Sequence, residues 1–379
     1  MTHTLTPAPK VVPAQEASAP PAAPNVYNRW VESLGIPLYR AYGLEDPSTI
    51  PLGWWDERQC NASVVQLVGQ ENLTEVRVIE IPPGKTTAPF RMGLDEIVLV
   101  QDGRGLSTVW AEGEDKKTFE WSSGSLFMLP ANHVSQLGNA QGDRPARLFL
   151  FNYLPLALLV AGSPDVFFDS THADTSRLYG DGASYAAAKP VQRSDTGPRP
   201  GGFDWHGNFF PDLKVWDKLE NQGYRGGGMS VTLNFPHSPI HTHMAMFPPG
   251  TYKKAHRHRP GVVLIVLDGE GYSLMWPERG ADLLMARWRS GSVVVPPSLW
   301  WHQHFNAGSK PARYLALHAA GLPGVETATG VESIVRNQIE FPDEDPQIRA
   351  LFQEEVAKRG RRSLMPDEAY RDASFKFTL

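Results

Sequence analysis

The chain repeats itself at a spacing of 166 to 167 residues, and this repeat restricts the fold more than any other feature. The segment DGRGLSTVW at 102–110 matches DGEGYSLMW at 268–276, and RPARLFLF at 144–151 matches KPARYLAL at 310–317. Single residues keep the same spacing: Gly84 and Gly250, Gly103 and Gly269, Gly124 and Gly291, Pro130 and Pro297, Asn139 and Asn306. A repeat of this length indicates two copies of one domain.

Within each copy, the apolar runs have the length of β-strands. EIVLVQ before Gly103 and VVLIVL before Gly269 both end in a glycine-rich turn, and SLFMLP and SVVVPP repeat the pattern. The 34 glycines and 33 prolines favour many turns between short strands. We therefore expect an all-β fold with a few peripheral helices. Helical patterns occur only outside the repeats, at 27–36, 212–221 and 345–360.

Composition divides the chain into five segments. Residues 1–25 form a Pro/Ala-rich tail that we expect to be disordered, and residues 26–160 contain the first copy. Residues 161–228 are polar and rich in glycine and proline, so we expect an inter-domain connection there. Residues 229–322 contain the second copy, and 323–379 form a C-terminal extension with a helix.

Charge and cysteine content argue against several classes of partner. The chain has 36 Lys and Arg against 41 Asp and Glu, without a basic run, which argues against nucleic acid and anionic membranes. No segment has the roughly 18 consecutive apolar residues of a membrane span, and the N-terminus lacks the apolar core of a secretory signal. A single cysteine, Cys60, excludes an intramolecular disulfide and fits a reducing compartment. We expect a cytoplasmic protein.

Three histidines of the second copy have the spacing of metal ligands. His256 and His258 are two residues apart, so on a strand both imidazoles lie on one face. His302 follows on a later strand that can approach them across a barrel. Three neutral imidazoles bind one face of a metal and leave coordination positions free. Mn, Ni and Zn accept such ligands, but an open facial set is typical of non-haem Fe(II) oxygenases, so we expect Fe(II).

The spacing of these residues resembles the paired cupin motifs, G(X)5HXH(X)3–4E(X)6G and G(X)5PXG(X)2H(X)3N. The second copy matches over 250–269 and 291–306, with Val262 in place of the motif glutamate and Leu299 in place of a glycine. The resemblance implies a bicupin, with two jelly-roll barrels in one chain and the metal site in the C-terminal cupin.

The first copy keeps the residue spacing of these motifs but lacks the ligand histidines. Phe90 and Met92 replace the two histidines of the HXH pair, and Ser135 occupies the place of the last one. Neither an aromatic ring nor a thioether at these positions suits iron. Only the motif glutamate is retained, as Glu96. We therefore expect the N-terminal cupin to be a metal-free scaffold.

Among three-histidine bicupins, the chain resembles the gentisate 1,2-dioxygenase and hydroxynaphthoate dioxygenase group. The resemblance rests on HRH at 256–258 and WHQHFN at 301–306, where the family has a Trp before the ligand histidine and a second histidine two residues beyond it. In that family the N-terminal cupin holds the metal, whereas here the C-terminal copy carries the histidines. The resemblance implies a ring-cleaving Fe(II) dioxygenase of aromatic catabolism that takes O2 and a small hydroxylated aromatic substrate.

Five further residues are candidates for the site. His304 lies two residues beyond the last ligand histidine, so it would share its face, and we assign it a catalytic role in proton transfer. His241 and His243 share a face on the preceding strand and could line the pocket. Tyr252 and Trp301 could form an aromatic wall for a ring substrate. We assign these four a substrate-binding role.

Three other functions fit the same residues. A three-histidine cupin can cleave a β-diketone with O2. A metal-dependent lyase or isomerase would use the ion as a Lewis acid and would not consume O2. The third alternative is a non-catalytic, ligand-binding bicupin.

The C-terminal extension predicts self-association. Its helical pattern carries Ile348, Leu351 and Phe352 in a stripe too narrow to stabilise a helix alone. Two jelly rolls also leave sheet edges that a second subunit can cover. We therefore expect a homodimer or a homotetramer.

Overall fold

The computed structural model of the chain describes residues 9–180, 183–186, 189–193, 202–222, 226–318 and 336–377. These residues form mostly β-strands, which pair into four sheets. One large and one small sheet enclose each of two barrels, and short helices lie around them. The expected all-β fold with two jelly-roll barrels and a few peripheral helices is confirmed.

The first barrel has an eight-stranded and a three-stranded sheet. In order of neighbours, the large sheet contains Phe209–Phe210, Leu126–Leu129, Glu96–Asp102, Ala146–Asn152, Glu75–Ile81, Cys60–Leu67 and Leu38–Ala41, with Gly53–Trp55 beside Cys60–Leu67. The small sheet contains Val134–Asn139, Arg104–Trp110 and Lys117–Ser122.

The second barrel has a nine-stranded and a six-stranded sheet. The large sheet contains Gln192–Arg193, Phe203–His206, Gly228–Asn234, His241–Phe247, Ala312–His318, Val263–Asp268, Val293–Val294 and Gly43–Leu44, with Glu220–Gln222 beside Gly228–Asn234. The small sheet contains Val11–Pro13, Leu283–Trp288, Gly271–Trp276, Trp301–Asn306, Ala255–His256 and Gln338–Ile339.

Each large sheet includes a strand from the other half of the chain. Gly43–Leu44 pairs with Val293–Val294 of the second barrel, and Phe209–Phe210 pairs with Leu126–Leu129 of the first. Between the large sheets lies one shared apolar core, to which both barrels contribute; its members include Val78, Leu99, Leu233, Met244, Ile265 and Leu315. Separate apolar clusters fill the inside of the first and of the second barrel.

Two of the three predicted helices form. Helices run over Val26–Ser33 and Pro346–Ala357, as expected from the patterns at 27–36 and 345–360. The prediction of a helix at 212–221 is wrong: the segment starts with a turn in which Lys214 N donates to Asp212 Oδ1, and it ends in the strand Glu220–Gln222. Other helices are Leu154–Ala161, Asp165–Phe168 and Ser176–Tyr179, with 3₁₀ turns at Val68–Gln70, Phe341–Asp343 and Asp367–Tyr370.

The expected segment boundaries need two changes. The tail is not disordered throughout, since Val11–Pro13 forms a parallel strand beside Leu283–Trp288. The expected connection at 161–228 supplies strands to both large sheets, namely Phe209–Phe210 and Phe203–His206. The predicted boundary between residues 322 and 323 lies outside the described residues. No described helix is long and apolar enough to cross a membrane.

Candidate metal centre

Alternation along one strand directs two histidines into the second barrel. In Trp301–Asn306, His302 and His304 lie on the same face, opposite Met275 and Ser273 of the neighbouring strand. Met275 belongs to the apolar cluster inside the barrel, so this face is the inner one. On the other side, His302 pairs directly with His256. Three imidazoles thus meet inside the barrel.

His256, His302 and His304 form a compact nitrogen cluster. One ring nitrogen from each residue lies within 4.8 Å of the others, and all three side chains are buried. Their ring centroids are 4.3 Å apart for His256 and His302, and 5.6 Å for His302 and His304. This is the only group of potential metal ligands of this kind in the part of the chain that the structure describes. A three-histidine site is therefore present.

The third member of this trio differs from the sequence prediction. His258, predicted as a ligand, lies at the partly exposed rim, with its ring centroid 4.6 Å from His302 and 6.0 Å from His256. The strand ends at His256, so His258 does not follow the alternation assumed for the predicted trio. His304, to which the sequence assigned a catalytic role, has a nitrogen in the compact cluster, and its ring centroid lies 5.6 Å from that of His302 and 6.1 Å from that of His256. The ligand role of His258 stays a prediction.

In His256 and His302, a hydrogen bond at Nδ1 leaves Nε2 able to bind a metal. Nδ1 of His256 lies 3.0 Å from the Lys254 carbonyl oxygen, and Nδ1 of His302 lies 3.1 Å from that of Trp300. A carbonyl oxygen only accepts, so each Nδ1 carries the proton and each Nε2 has its lone pair directed elsewhere. Ligand histidines commonly have this arrangement. The donor set therefore fits a divalent transition metal.

His304 has a different contact. Its Nδ1 lies 2.8 Å from the hydroxyl oxygen of Ser273, which also accepts a hydrogen bond of 3.2 Å from Trp288 Nε1. A hydroxyl can donate or accept, so His304 can present either a lone pair or a proton at Nε2. Through Nε2 the residue can thus either ligate a metal or exchange a proton with a bound molecule, but not both at once.

A second group of histidines lies on the facing sheet. His241 and His243 share the inner face with Phe247 of the same strand, which belongs to the inner cluster. His318, which the sequence analysis missed, lies opposite His241 and has its Nε2 3.1 Å from His243 Nδ1. The alternation in ARYLALH was the available signal for it, because it places this histidine on the face of Tyr314.

Tyr252 and Trp301 do not form the expected aromatic wall. Trp301 precedes His302 on the strand and so faces outwards, where the Arg257 guanidinium lies 4.6 Å from its ring. Tyr252 packs on the same outer face, and its hydroxyl lies 2.7 Å from Glu344 and 3.0 Å from Tyr370. Both side chains belong to the cluster beneath the C-terminal extension. Neither side chain therefore faces the histidine cluster, and the substrate-binding role of these two residues stays a prediction.

The first barrel has an ion pair in the corresponding region. The Arg58 guanidinium lies 3.8 Å from the Phe90 ring centroid and donates to Glu96 at 2.9 Å. Both charged side chains are almost fully buried. Met92 lies in the surrounding apolar cluster, and Ser135 bonds with the backbone of Phe90. The described residues of this barrel contain no group of three potential metal ligands.

Comparisons with known proteins give partial similarities. No protein-family model matches the chain. It is 25% identical to germin-like protein 9-2 of Oryza sativa subsp. japonica over 174 residues, which cover 45% of the chain and 72% of the relative. It is 31% identical to a gentisate 1,2-dioxygenase of Ralstonia sp. over 77 residues. That alignment covers only 20% of each protein.

Solved structures resemble the chain only in part. An oxalate decarboxylase of Lactobacillus farciminis in a formate complex has a TM-score of 0.47 and 14% identity, with coverage of 73% of this chain and 85% of the other. The oxalate decarboxylase of Bacillus subtilis at pH 4.6 has a TM-score of 0.44 and 14% identity, with coverage of 72% and 74%. Similarities of this size leave the activity and the metal open.

Proposed function

We propose that the protein is a non-haem Fe(II) dioxygenase that cleaves a C–C bond of a hydroxylated aromatic substrate. The observation that carries this proposal is the cluster of His256, His302 and His304, which contains imidazoles and no carboxylate. The partial identity with a gentisate 1,2-dioxygenase supports the same class of substrate.

The neutral ligand set favours an anionic substrate. The motif glutamate is replaced by Val262, and the cluster found among the described residues contains no carboxylate. A divalent ion would keep its charge and its open positions, which suits a substrate that chelates through two oxygens beside O2. Fe(II), when bound, would provide the path by which electrons pass from the chelated substrate to O2.

The protein side chains orient a metal ligand and exclude water. His304 is buried in the cluster, and the Ser273 hydroxyl, 2.8 Å from its Nδ1, fixes the orientation of its ring so that Nε2 can ligate the ion. Below the cluster, the inner residues Phe247, Leu264 and Trp288 form an apolar floor that limits water. These residues would therefore hold the ion and shield the substrate from water.

Oxygen uptake tests the proposal. Protein loaded anaerobically with Fe(II) should consume O2 when hydroxybenzoates or hydroxynaphthoates are added, at about one O2 per substrate, and a His302→Ala variant should not. His172→Ala, at an exposed histidine outside both barrels, is the matched control. Equal turnover by zinc-loaded protein without O2 would instead identify a Lewis-acid lyase or isomerase. O2 uptake with β-diketones alone would contradict ring cleavage.

A further inference from the structure

A cavity of about 340 Å³ lies on the outer face of the six-stranded sheet, on the opposite side of its strands from the metal centre. Its apolar lining comes from four strands of this sheet and from the helix that covers it, and consists of Ala255, Trp276, Leu283, Ile339 and Ile348. All five belong to the cluster beneath the C-terminal extension. This outer cavity therefore has the volume and the apolar lining of a small-molecule site.

One carboxyl group of the outer cavity lacks a positive partner. Other buried carboxylates of the chain pair with arginine: Glu75 with Arg77, Glu96 with Arg58, Asp95 with Arg177 and Glu355 with Arg287. Glu344 lines the outer cavity and has no ion-pair partner among the described residues, since the nearby Arg349 pairs with Asp367 instead. Burial without a counter-charge is unfavourable for a carboxylate, and burial raises the pKa of Glu344 to about 7.

Two neutral donors hold the Glu344 carboxyl group in place. The Tyr252 hydroxyl donates to Oε1 at 2.7 Å, and Gln303 Nε2 donates to Oε2 at 2.7 Å. Each carboxylate oxygen has two acceptor sites, so each can accept one further hydrogen bond. An ammonium group in the outer cavity would supply both a hydrogen bond and the missing positive charge.

The rim of the outer cavity also favours a cation. Asp343, Asp345 and Arg279 line it and are exposed. With Glu344, the described lining contains three carboxyl groups and one guanidinium, which disfavours an anion. The N-terminus of the adjoining helix does not reverse this preference, because Asp345 caps it by accepting a hydrogen bond of 2.9 Å from Gln347 N.

We propose that the outer cavity binds a small organic amine with an apolar body, whose ammonium group pairs with Glu344 while the body packs on the apolar lining around Trp276. The strand that carries His302 and His304 separates this site from the metal centre, and Gln303 of the same strand bonds with Glu344 on the outer side. The proposal therefore does not rest on the proposed function.

Calorimetry with 2-phenylethylamine and its neutral analogue 2-phenylethanol tests the site. Zinc-loaded protein should bind the amine at least about tenfold more tightly than the alcohol, because only the ammonium group can pair with Glu344. Glu344→Gln should abolish this preference and leave the affinity for the alcohol unchanged. Glu354→Gln, at an exposed carboxylate of the adjoining helix, is the matched control and should bind like the unaltered protein. A preference that survives in Glu344→Gln, or is absent from the unaltered protein, overturns the proposal.

Two further variants test where the amine binds. Ala281→Trp adds a bulky side chain to the lining of the outer cavity and leaves Glu344 in place, so it should abolish binding of both probes with zinc retained. His302→Ala alters the metal centre on the other side of the sheet, so it should keep the preference for the amine. Unchanged amine binding in Ala281→Trp, or loss of the preference in His302→Ala, would place the amine elsewhere and overturn the proposal. Because both probes report binding alone, a failure of O2 uptake would leave this result unaffected.

Discussion

Each histidine of the metal centre has two ring nitrogens, and the contact at Nδ1 determines the role of Nε2. In His256, His258 and His302, Nδ1 lies within 3.1 Å of a backbone carbonyl oxygen. In His304 it contacts the hydroxyl of Ser273 instead. His304 can therefore present either a lone pair for a metal or a proton at Nε2, while His258 has the ligand tautomer but lies at the rim.

The metal affinity of single variants tests which histidines are ligands and which lie outside the compact trio. His256→Ala, His302→Ala and His304→Ala should each weaken zinc binding at least about tenfold, because each removes one nitrogen of the compact trio. His258→Ala should have a smaller effect. Zinc titration by calorimetry gives the affinities, with His172→Ala as control. Metal loss in His258→Ala together with full binding in His304→Ala would restore the trio predicted from sequence.

Residue spacing predicted part of this site. His302 and His304 could be placed on one face because strand alternation is a short-range property, and the same holds for His241 and His243. The position of His258 depended on where a two-residue strand ends, which its spacing does not show. Arg58 could not be predicted opposite Glu96, because no pattern within the repeat links them.

At the element scale, the strand Trp301–Asn306 separates the metal centre from the C-terminal extension. His302 and His304 face the barrel interior, whereas Gln303 faces outwards and donates to Glu344 at 2.7 Å. The helix Pro346–Ala357 packs Ile348, Phe352 and Val356 into the cluster on this outer face. Contacts within the chain therefore stabilise this helix, and a partner subunit is not required for that purpose.

Truncation of Phe352 tests how much this packing stabilises the barrel. The side chain is fully buried, so Phe352→Ala should lower the free energy of unfolding by about 3–5 kcal/mol. Leu364→Ala is a suitable control, because Leu364 is 52% exposed and its loss should change stability by about 0.5 kcal/mol or less. Denaturant unfolding gives both values. Equal stability of the two variants would show that the extension does not support the barrel.

Glu344 should make stability depend on pH. Burial raises the pKa of this carboxyl from 4.5 to about 7, so the folded chain holds a proton that the unfolded chain releases between these values. Stability contributed by the protonated form is complete below about pH 4.5 and is lost as the pH rises through 7. Glu344→Gln cannot ionise, so its Tm should decline less than that of the unaltered protein from about pH 5 to about pH 8. Parallel declines would contradict this account.

At the scale of the whole molecule, the two repeated barrels share their strand pattern but differ inside. The second holds the histidine cluster, and the first holds the ion pair of Arg58 and Glu96. The repeat and its strand patterns predicted both barrels, because glycine turns and apolar runs recur at the same spacing. The exchange of Gly43–Leu44 and Phe209–Phe210 between the two large sheets was not predictable, since both strands lie outside the repeated motifs. Self-association into a homodimer or homotetramer stays a prediction, which light scattering at micromolar concentration would contradict if it detected monomer alone.

The number of metal ions per chain is the most direct test of the account, because among the described residues only the second barrel has the histidine cluster. Elemental analysis after metal loading and dialysis should find about one ion per chain in the unaltered protein. The same value is expected for Ser135→Ala, which alters the first-barrel counterpart of His302, whereas His302→Ala should lose the ion. Two ions per chain, or an ion that is lost with Ser135 and kept without His302, would contradict the assignment of the metal to the second barrel.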